Sequence, residues 1–402
     1  MTPSNITRSN REDSFKKVLI MAGGTGGHIF PALATAEVLK QKGVHIEWLG
    51  TQKGMEARLV PAHHYPINYI EISGLRGKGI KTLLLLPFRL IRAMFQTMKV
   101  YNKVNPDVVL GMGGFVTGPG GIVGWLKGKP LVLHEQNAIA GMTNKILFKF
   151  ATKVLAAFPG AFKSASDAKK KLSIIGNPVR KEIMEIEKPE LRFEKKWAKT
   201  GDRQLNVLVV GGSLGAVALN EKLPEALEKI MQNGQLETGA FEKIFVRHQC
   251  GEKHLDVTRE NYQSFLNNEE IKKQIELDDD TKINVDIMQF IDDMAKNYGW
   301  ADVIICRSGA LTVSEIAAAG VASILVPYPY AVDDHQTANA AYLADEGAAF
   351  LIQQNELDSK KLSEILMSLD KEIILNMAIK ARQLSTKDAA EVVANECLLL
   401  AG

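Results

Sequence analysis

The same opening occurs twice in this chain. KVLIMAGGTGGH starts at Lys17 and NVLVVGGSLGA starts at Asn206. Each is a short aliphatic and β-branched run, then a glycine turn, then a helix-compatible run (PALATAEVLKQKG and AVALNEKLPEAL). A strand that ends in glycine and passes into a helix is the first unit of a parallel α/β sheet. The two openings lie about one ordinary domain length apart, so 402 residues read as two domains. Both halves continue the alternation. HIEWLG, INYIEI, DVVLGMG, PLVLHE, KVLAAF and KLSIIG are strand candidates in the first half; KIFVRHQ, INVDIM, DVIICR, ASILVPY and AAFLI are those of the second. The fold class is therefore α/β, with two Rossmann-like, doubly wound parallel-sheet domains facing a cleft. Ligands of such sheets bind beyond the carboxyl ends of the strands, where the glycine loops sit. GNPVRKEI, residues 176 to 183, breaks regular structure at Asn177-Pro178 and is the expected hinge.

Composition narrows the class. With 46% hydrophobic and 24% charged residues, the chain is an ordinary globular protein rather than a disordered one. A net charge of +3 implies no nucleic-acid partner. Cys250, Cys306 and Cys397 are odd in number and far apart, which argues against a disulfide framework or a zinc site and for a reducing compartment. The polar start MTPSNITRSNREDS reads as a frayed tail, not a signal peptide. No apolar run reaches transmembrane length. The charged stretch 251 to 282 reads as a solvated helix and loop.

A glycine turn at a strand end lets backbone N–H groups approach an anion, and the following helix adds partial positive charge. The first loop fits neither GxGxxG nor GxxxxGK[ST], so neither a dinucleotide fingerprint nor a P-loop is indicated. Two further loops repeat the arrangement: GMGGFVTGPGG at 111 to 121 and CRSGALTVSEIAAAG at 306 to 320. In the latter, ALTVSEIAAA is a helix whose first N–H groups suit a diphosphate. Glu315, one turn on, suits a vicinal diol such as a ribose. HEQN, residues 134 to 137, places four polar side chains at a strand end, and the Asn137 amide can both donate to and accept from sugar hydroxyls. DDHQTANA, from Asp333, starts another helix, with Asp333 or Asp334 as its cap and His335 and Gln336 within reach of the cleft. Residues 76 to 103 carry seven basic side chains and no acidic one, interleaved with Leu83, Leu84, Leu85, Phe88, Leu90, Ile91, Met94 and Phe95. Helices of that composition lie on anionic bilayers, and also pack on cores with a basic outer face.

Taken in order, GGTGGHIFPALA, ISGLRGKGI, GMGGFVTGPGG, HEQNAIAGMTNK, AFPGAF, GNPVR, FIDDM, RSGALTVSEIAAAG and PYPYAVDDHQTANA resemble the MurG family, the N-acetylglucosaminyltransferases of peptidoglycan synthesis. The resemblance runs from about residue 16 to near the end. It implies a GT-B architecture. Residues 16–178 are then an acceptor- and membrane-facing domain, with a C-terminal helix at about 385–402 packing back on it, and 179–384 bind UDP-GlcNAc. It implies transfer of GlcNAc from UDP-GlcNAc to the C4 hydroxyl of the muramoyl sugar of lipid I, with inversion, giving lipid II and UDP. Donor contacts implied by the family are Thr25, Gly26, Gly27, Asn137, Arg180 and Ser213, then Ile291 through its backbone to uracil. Ala310, Leu311, Thr312, Val313, Ser314 and Glu315 would hold diphosphate and ribose, and Gln336 the sugar. Leu214 stands where the family often has glutamine, and 251 to 282 is longer than usual.

Inverting transfer needs a base for the acceptor hydroxyl. His28, ending the first glycine loop, is the expected base, because histidine exchanges protons near neutral pH; Glu135 and His134 are rivals. No metal and no other cofactor is expected, since N–H groups and a helix dipole would stabilise the departing diphosphate. A lipid-linked acceptor favours the membrane reading of 76 to 103, with Leu83, Leu84, Leu85, Phe88, Arg89 and Arg92 at the surface. The expected location is the cytoplasmic side of a bacterial inner membrane, held peripherally on an anionic face, with other cell-wall synthesis proteins as partners and no nucleic acid. Two readings compete: a UDP-sugar epimerase on the same scaffold, and a non-catalytic nucleotide-sugar-binding protein. An NAD dehydrogenase fits the glycine spacing least.

Overall fold

The computed structural model describes residues 15–73, 86–162, 171–200, 203–211, 216–266 and 282–402. Within them two sheets form, each entirely parallel. The first contains β1 (Lys17–Ala22), β2 (His45–Gly50), β3 (Ile67–Tyr69), β4 (Val108–Gly113), β5 (Leu131–Glu135), β6 (Lys153–Ala156) and β7 (Leu172–Ile174), in the order β3-β2-β1-β4-β5-β6-β7. The second contains β8 (Gln204–Val210), β9 (Lys243–Gln249), β10 (Ile283–Met288), β11 (Val303–Cys306), β12 (Ala322–Leu325) and β13 (Ala349–Leu351), in the order β10-β9-β8-β11-β12-β13.

The central strands are apolar runs rather than alternating ones because both faces of each sheet are covered there. Along β1, Val18, Ile20 and Ala22 belong to one core, while Leu19 and Met21 belong to the core on the opposite face. Along β8, Val207 and Val209 point one way and Leu208 the other.

Strand order fixes where a ligand fits. Each sheet reverses its winding once, between β1 and β4 and between β8 and β11. A doubly wound sheet opens a crevice at such a reversal. The strands flanking the two reversals are the four that end in the glycine loops singled out above.

The last helix, Ala389–Leu400, returns to the first sheet. Val393, Ala394 and Cys397 are fully buried in the core that holds Val18 and Ile20. Ion pairs Lys42–Glu391 (3.3 Å) and Lys153–Glu396 (3.0 Å) flank that contact. The helices Lys181–Met184 and Pro189–Thr200 pack with the second sheet through Ile183 and Phe193.

Candidate functional site between the two sheets

In the first lobe, β4 carries one residue more than β1 can pair. Met21 faces Gly111 and Ala22 faces Gly113, so Met112 is skipped. A bulge of this kind re-aims the backbone at a site. Here the Met112 carbonyl accepts from Gln136 Nε2 at 2.8 Å. Gly113 and Gly114 follow with φ of 103° and 83°, in the left-handed region that favours glycine. Neither position has room for a side chain: a Cβ on Gly113 would overlap the His28 ring, and one on Gly114 the Gly23 carbonyl. The two loops thus seat the imidazole directly on backbone.

His28 is half-buried in the first turn of the helix Gly26–Gln41, and its Nδ1 lies 3.1 Å from Gln136 Oε1. Thr25 is that helix's N-cap residue but makes no side-chain cap. Its carbonyl accepts from the N–H groups of His28 and Ile29. The N–H groups of Gly26 and Gly27 have no backbone acceptor among the described residues. Beneath the loop lies Glu56, fully buried, whose carboxylate accepts from Gly24 N (3.0 Å), Thr51 N (2.8 Å) and Thr51 Oγ1 (2.7 Å).

The two rivals to His28 are placed elsewhere. Glu135 is buried, and both its oxygens organise the next loop, accepting from Asn137 N and Nδ2, Gly141 N and Asn144 Nδ2 at 2.9–3.2 Å. It stands as a loop-holding group and offers no face to the cleft. His134 is fully buried, with Nε2 donating to the Gly176 carbonyl at 2.9 Å; burial lowers its pKa to about 4.

In the second lobe, the helix Ala310–Ala319 follows β11 through Gly309, an N-cap residue without a side chain. Val313 N bonds back to the Gly309 carbonyl at 2.9 Å, whereas the N–H groups of Ala310, Leu311 and Thr312 have no backbone acceptor among the described residues. The side chains of Ala310, Leu311 and Val313 are buried, so these three residues can meet a ligand only through the main chain, with the half-buried Thr312 hydroxyl beside them. At the helix's other end, Arg192 caps the carbonyls of Ala319 (2.7 Å) and Gly320 (2.5 Å). Glu315 is buried. Its Oε1 accepts from Arg180 Nε (3.2 Å) and the Arg180 terminal nitrogen (2.9 Å), and its Oε2 accepts from the Tyr298 hydroxyl (3.0 Å). Burial raises the Glu315 carboxyl above the ordinary carboxylate range, with Arg180 and Tyr298 opposing it. Burial and the Glu315 charge push the Tyr298 hydroxyl up, so it stays a donor.

The two halves meet along one seam. Arg180 lies over the Phe30 ring at 5.1 Å while pairing with Glu315. Asn177 Nδ2 donates to the Gln136 carbonyl (3.1 Å) and to Ser314 Oγ (2.9 Å). Asn339 accepts from Ala138 N (2.8 Å) and reaches the Asn137 side chain (3.4 Å) and the Ser308 carbonyl (3.2 Å). Asn137, Arg180, Ser314 and Glu315 are thus brought together, with His28 one hydrogen bond away through Gln136.

The other expected positions are as follows. Gln336 stands in the first turn of the helix His335–Ala344, its Oε1 accepting from Tyr328 N at 2.9 Å. Asp333 and Asp334 both adopt left-handed φ, and Asp334 accepts from the Thr337 hydroxyl instead of capping the helix backbone. His335 is turned to the Val332 carbonyl. The Ile291 side chain is buried with Tyr298 in the second lobe's core. Ser213, Leu214, the acidic run 278–280 and Leu83, Leu84 and Leu85 lie outside the described residues.

Phe88, Arg89 and Arg92 stand on the helix Leu86–Val104. It buries Ala93, Thr97, Val100 and Val104 on one face and exposes Phe88, Ile91 and Phe95 on another, by 71, 54 and 67%. Both sets recur at helical spacing, so the helix has two apolar stripes, of which only one packs on the core. Trp125 and Leu126, on the helix packed beside it, are also half-exposed. Arg92 pairs with Glu71 at 2.7 Å.

Two parallel nucleotide-type sheets, each opening its reversal point onto one seam with helix N-termini and a carboxylate–guanidinium pair, define a GT-B glycosyltransferase. Residues 18–156 match the glycosyltransferase family 28 N-terminal domain and residues 206–393 its C-terminal domain. The chain belongs to glycosyltransferase family 28 and, within it, to the MurG group. It is 49% identical over 388 residues to the Aeromonas hydrophila UDP-N-acetylglucosamine--N-acetylmuramyl-(pentapeptide) pyrophosphoryl-undecaprenol N-acetylglucosamine transferase, covering 96% of this chain and 97% of that one. The crystal structure of Acinetobacter baumannii MurG superposes with a TM-score of 0.76 at 39% identity, covering 96% of this chain and 99% of that one. A Neisseria meningitidis UDP-GlcNAc 2-epimerase bound to UDP-GlcNAc also superposes, with a TM-score of 0.63 over 95% of this chain and 99% of that one; at 13% identity it shares the fold alone.

Proposed function

We propose that the chain transfers GlcNAc from UDP-GlcNAc to the C4 hydroxyl of the muramoyl sugar of lipid I, with inversion, forming lipid II and UDP. The observation that carries this reading is the single seam joining His28 of one lobe to the open helix start at Ala310 of the other. The N–H groups of Ala310, Leu311 and Thr312 hold the diphosphate, and those of Gly26 and Gly27, beside Thr25, face it from the first lobe. Ile291 meets uracil through its main chain. Gln336 and Asn137 contact the sugar.

Glu315 takes the ribose diol. A carboxylate has about four lone-pair sites, and three are occupied here: two by Arg180 and one by Tyr298. A diol needs two, so at least one present partner must yield. Arg180 is the more exposed of the pair and turns to the diphosphate. His28 Nε2 then takes the proton of the acceptor C4 hydroxyl. The oxygen bonds to the sugar C1 on the face opposite the diphosphate, the C1–O bond breaks, and UDP leaves with the electron pair. Backbone N–H groups and the helix dipole stabilise that leaving group without a metal ion.

The acceptor's lipid brings the second apolar stripe of Leu86–Val104 into use. Phe88, Ile91 and Phe95 enter the headgroup boundary of an anionic membrane, with Arg89 and Arg92 beside them, and the protein is held peripherally on its cytoplasmic side. No helix of the described residues is long and apolar enough to span a membrane. Purified protein, UDP-GlcNAc and a lipid I analogue test the reaction. UDP release with a β-linked disaccharide is expected, at the same rate in chelator; no turnover, or epimerised UDP-sugar alone, rejects it. Salt-sensitive binding to anionic vesicles, weakened by Phe95→Ser, is expected; equal, negligible binding to anionic and neutral vesicles rejects the membrane face.

A further inference from the structure

The hydrogen bonds beneath His28 fix the position of every proton between the lobe junction and the imidazole. The Gly176 carbonyl can only accept, so His134 Nε2, 2.9 Å away, carries a hydrogen. The His134 ring is enclosed and neutral at working pH, which leaves its Nδ1 bare. The Gln136 amide nitrogen faces three acceptors: that bare Nδ1 (3.2 Å), the Met112 carbonyl (2.8 Å) and the His134 carbonyl (3.3 Å). This end of the amide is therefore the NH2 group, and the oxygen is the end turned to His28. An amide oxygen 3.1 Å from His28 Nδ1 requires that Nδ1 carry the hydrogen. In the neutral ring, Nε2 is then the bare nitrogen, and it makes no hydrogen bond among the described residues.

We propose that Gln136 is a positioning residue that sets the tautomer of His28, so that Nε2 is always the nitrogen ready to receive the acceptor's proton. This rests on the reading of His28 as the base. Gln136 can hold that role because it is itself overdetermined. It is 1% exposed, its amide is fixed by the Met112 bulge and by His134, and its main-chain carbonyl is tied by Asn177 to Ser314 of the donor-side helix. The base is thus oriented in the same frame as the diphosphate site. Without the Gln136 oxygen, nothing holds the proton on Nδ1, and an Nε2 that already bears a hydrogen has no free lone pair with which to accept the acceptor's proton.

Ring-nitrogen NMR of the full chain labelled with [15N]histidine tests this, with His28 signals assigned by comparison with His28→Ala. The wild type is expected to show protonated Nδ1 and bare Nε2 at His28; the opposite tautomer overturns the proposal, and this reading needs no Gln136 variant to fold. Gln136→Met keeps the side-chain length and removes the acceptor. It is expected to shift His28 toward the Nε2–H form and to lower kcat roughly 10–100-fold, by analogy with the partners that orient metal-bound histidines, with the KM for UDP-GlcNAc unchanged. In a His28→Ala background the same substitution is expected to cost nothing further. Retained Nδ1–H or full kcat in Gln136→Met, or an equal further loss in that background, overturns it. Full activity of His28→Ala alone would instead remove the base reading, leaving the spectra to decide what Gln136 does.

Discussion

In the first lobe the polar groups lined up behind His28 carry no formal charge: the Gly176 carbonyl, the His134 ring and the Gln136 amide follow one another as acceptor and donor, and only His28 Nε2 is left open. In the second they are charged: Glu315 is buried and shares one oxygen with both nitrogens of Arg180. Both lobes begin from the same strand–glycine–helix unit, so the contrast reflects what each must do. A neutral network has no competing charge to shed and can stand preorganised for a proton transfer. A buried ion pair is costly to leave half-made, and it parts only when another ligand replaces what is lost. On the proposed function, the acceptor side is therefore expected to keep its geometry, and the donor side to exchange partners when UDP-GlcNAc binds.

The contrast breaks most visibly if its first half is wrong. His28→Ala is expected to lower kcat by roughly 10²–10⁴-fold, the usual share of a general base, while UDP-GlcNAc affinity measured by calorimetry stays as it was. An unaltered rate, or a loss confined to donor binding, would move the proton transfer elsewhere and leave the neutral network without a catalytic purpose.

A smaller effect probes the charged half. Glu315→Gln keeps the shape, removes the charge that pairs with Arg180 and, on the proposed reading, leaves the ribose diol one acceptor oxygen in place of two. Hydrogen bonds to a charged group contribute about 1.5–3 kcal/mol, so kcat/KM for UDP-GlcNAc is expected to fall roughly 10–100-fold, through weaker donor binding. An unchanged donor affinity would mean that the Arg180–Glu315 pair is structural and does not open.

How far these features could be read from sequence depends on how local their causes are. Among the described residues the central strands β1, β4, β5, β8, β11 and β12 coincide with apolar runs, because burial on both faces removes the need for alternation, while the half-exposed edge strands β3, β7 and β10 are written less clearly. The glycine loops were legible for the same reason: a turn that admits no Cβ is written in the residues themselves. HEQN was not resolvable. Four polar residues in a row announce a strand end, but which of them faces the cleft depends on the path of the next loop. Glu135 turns into that loop and His134 toward Gly176, leaving Gln136, assigned no role from sequence, against His28. Glu56 gave no signal at all. It lies in a short helix after β2, and only the tertiary packing brings its carboxylate beneath Gly24. Asn177 read as a chain breaker before proline, and its bridge from Gln136 to Ser314 exists only once the lobes meet.

The smallest expected effect compares the lobes by stability. Each buries one neutral histidine. Burial lowers the pKa of His134 to about 4 and that of His248 to about 3, where His248 lies between Tyr262 (2.9 Å) and Asn220 (3.0 Å). An unfolded histidine takes up its proton near pH 6.5. Above that pH neither state binds it, and stability does not depend on these groups. As pH falls below about 6.5, the unfolded chain gains protons that the folded chain refuses. Stability then drops by at most about 1.4 kcal/mol per pH unit for each histidine, until the folded value is reached. Amide exchange along β5 and β9, corrected for intrinsic rates, reads the two lobes separately at pH 7 and pH 5. Protection is expected to fall in both. His248→Gln should flatten the response of β9 and cost less kcat than the His134 change, because among the described residues that ring bonds only Tyr262 and Asn220 and no member of the network behind His28. His134→Asn should flatten that of β5 and lower kcat as well, since the same ring holds the Gln136 amide. If His134→Asn keeps full turnover, the neutral network serves the fold of the first lobe only, and the contrast between a preorganised acceptor side and an exchanging donor side loses its first term.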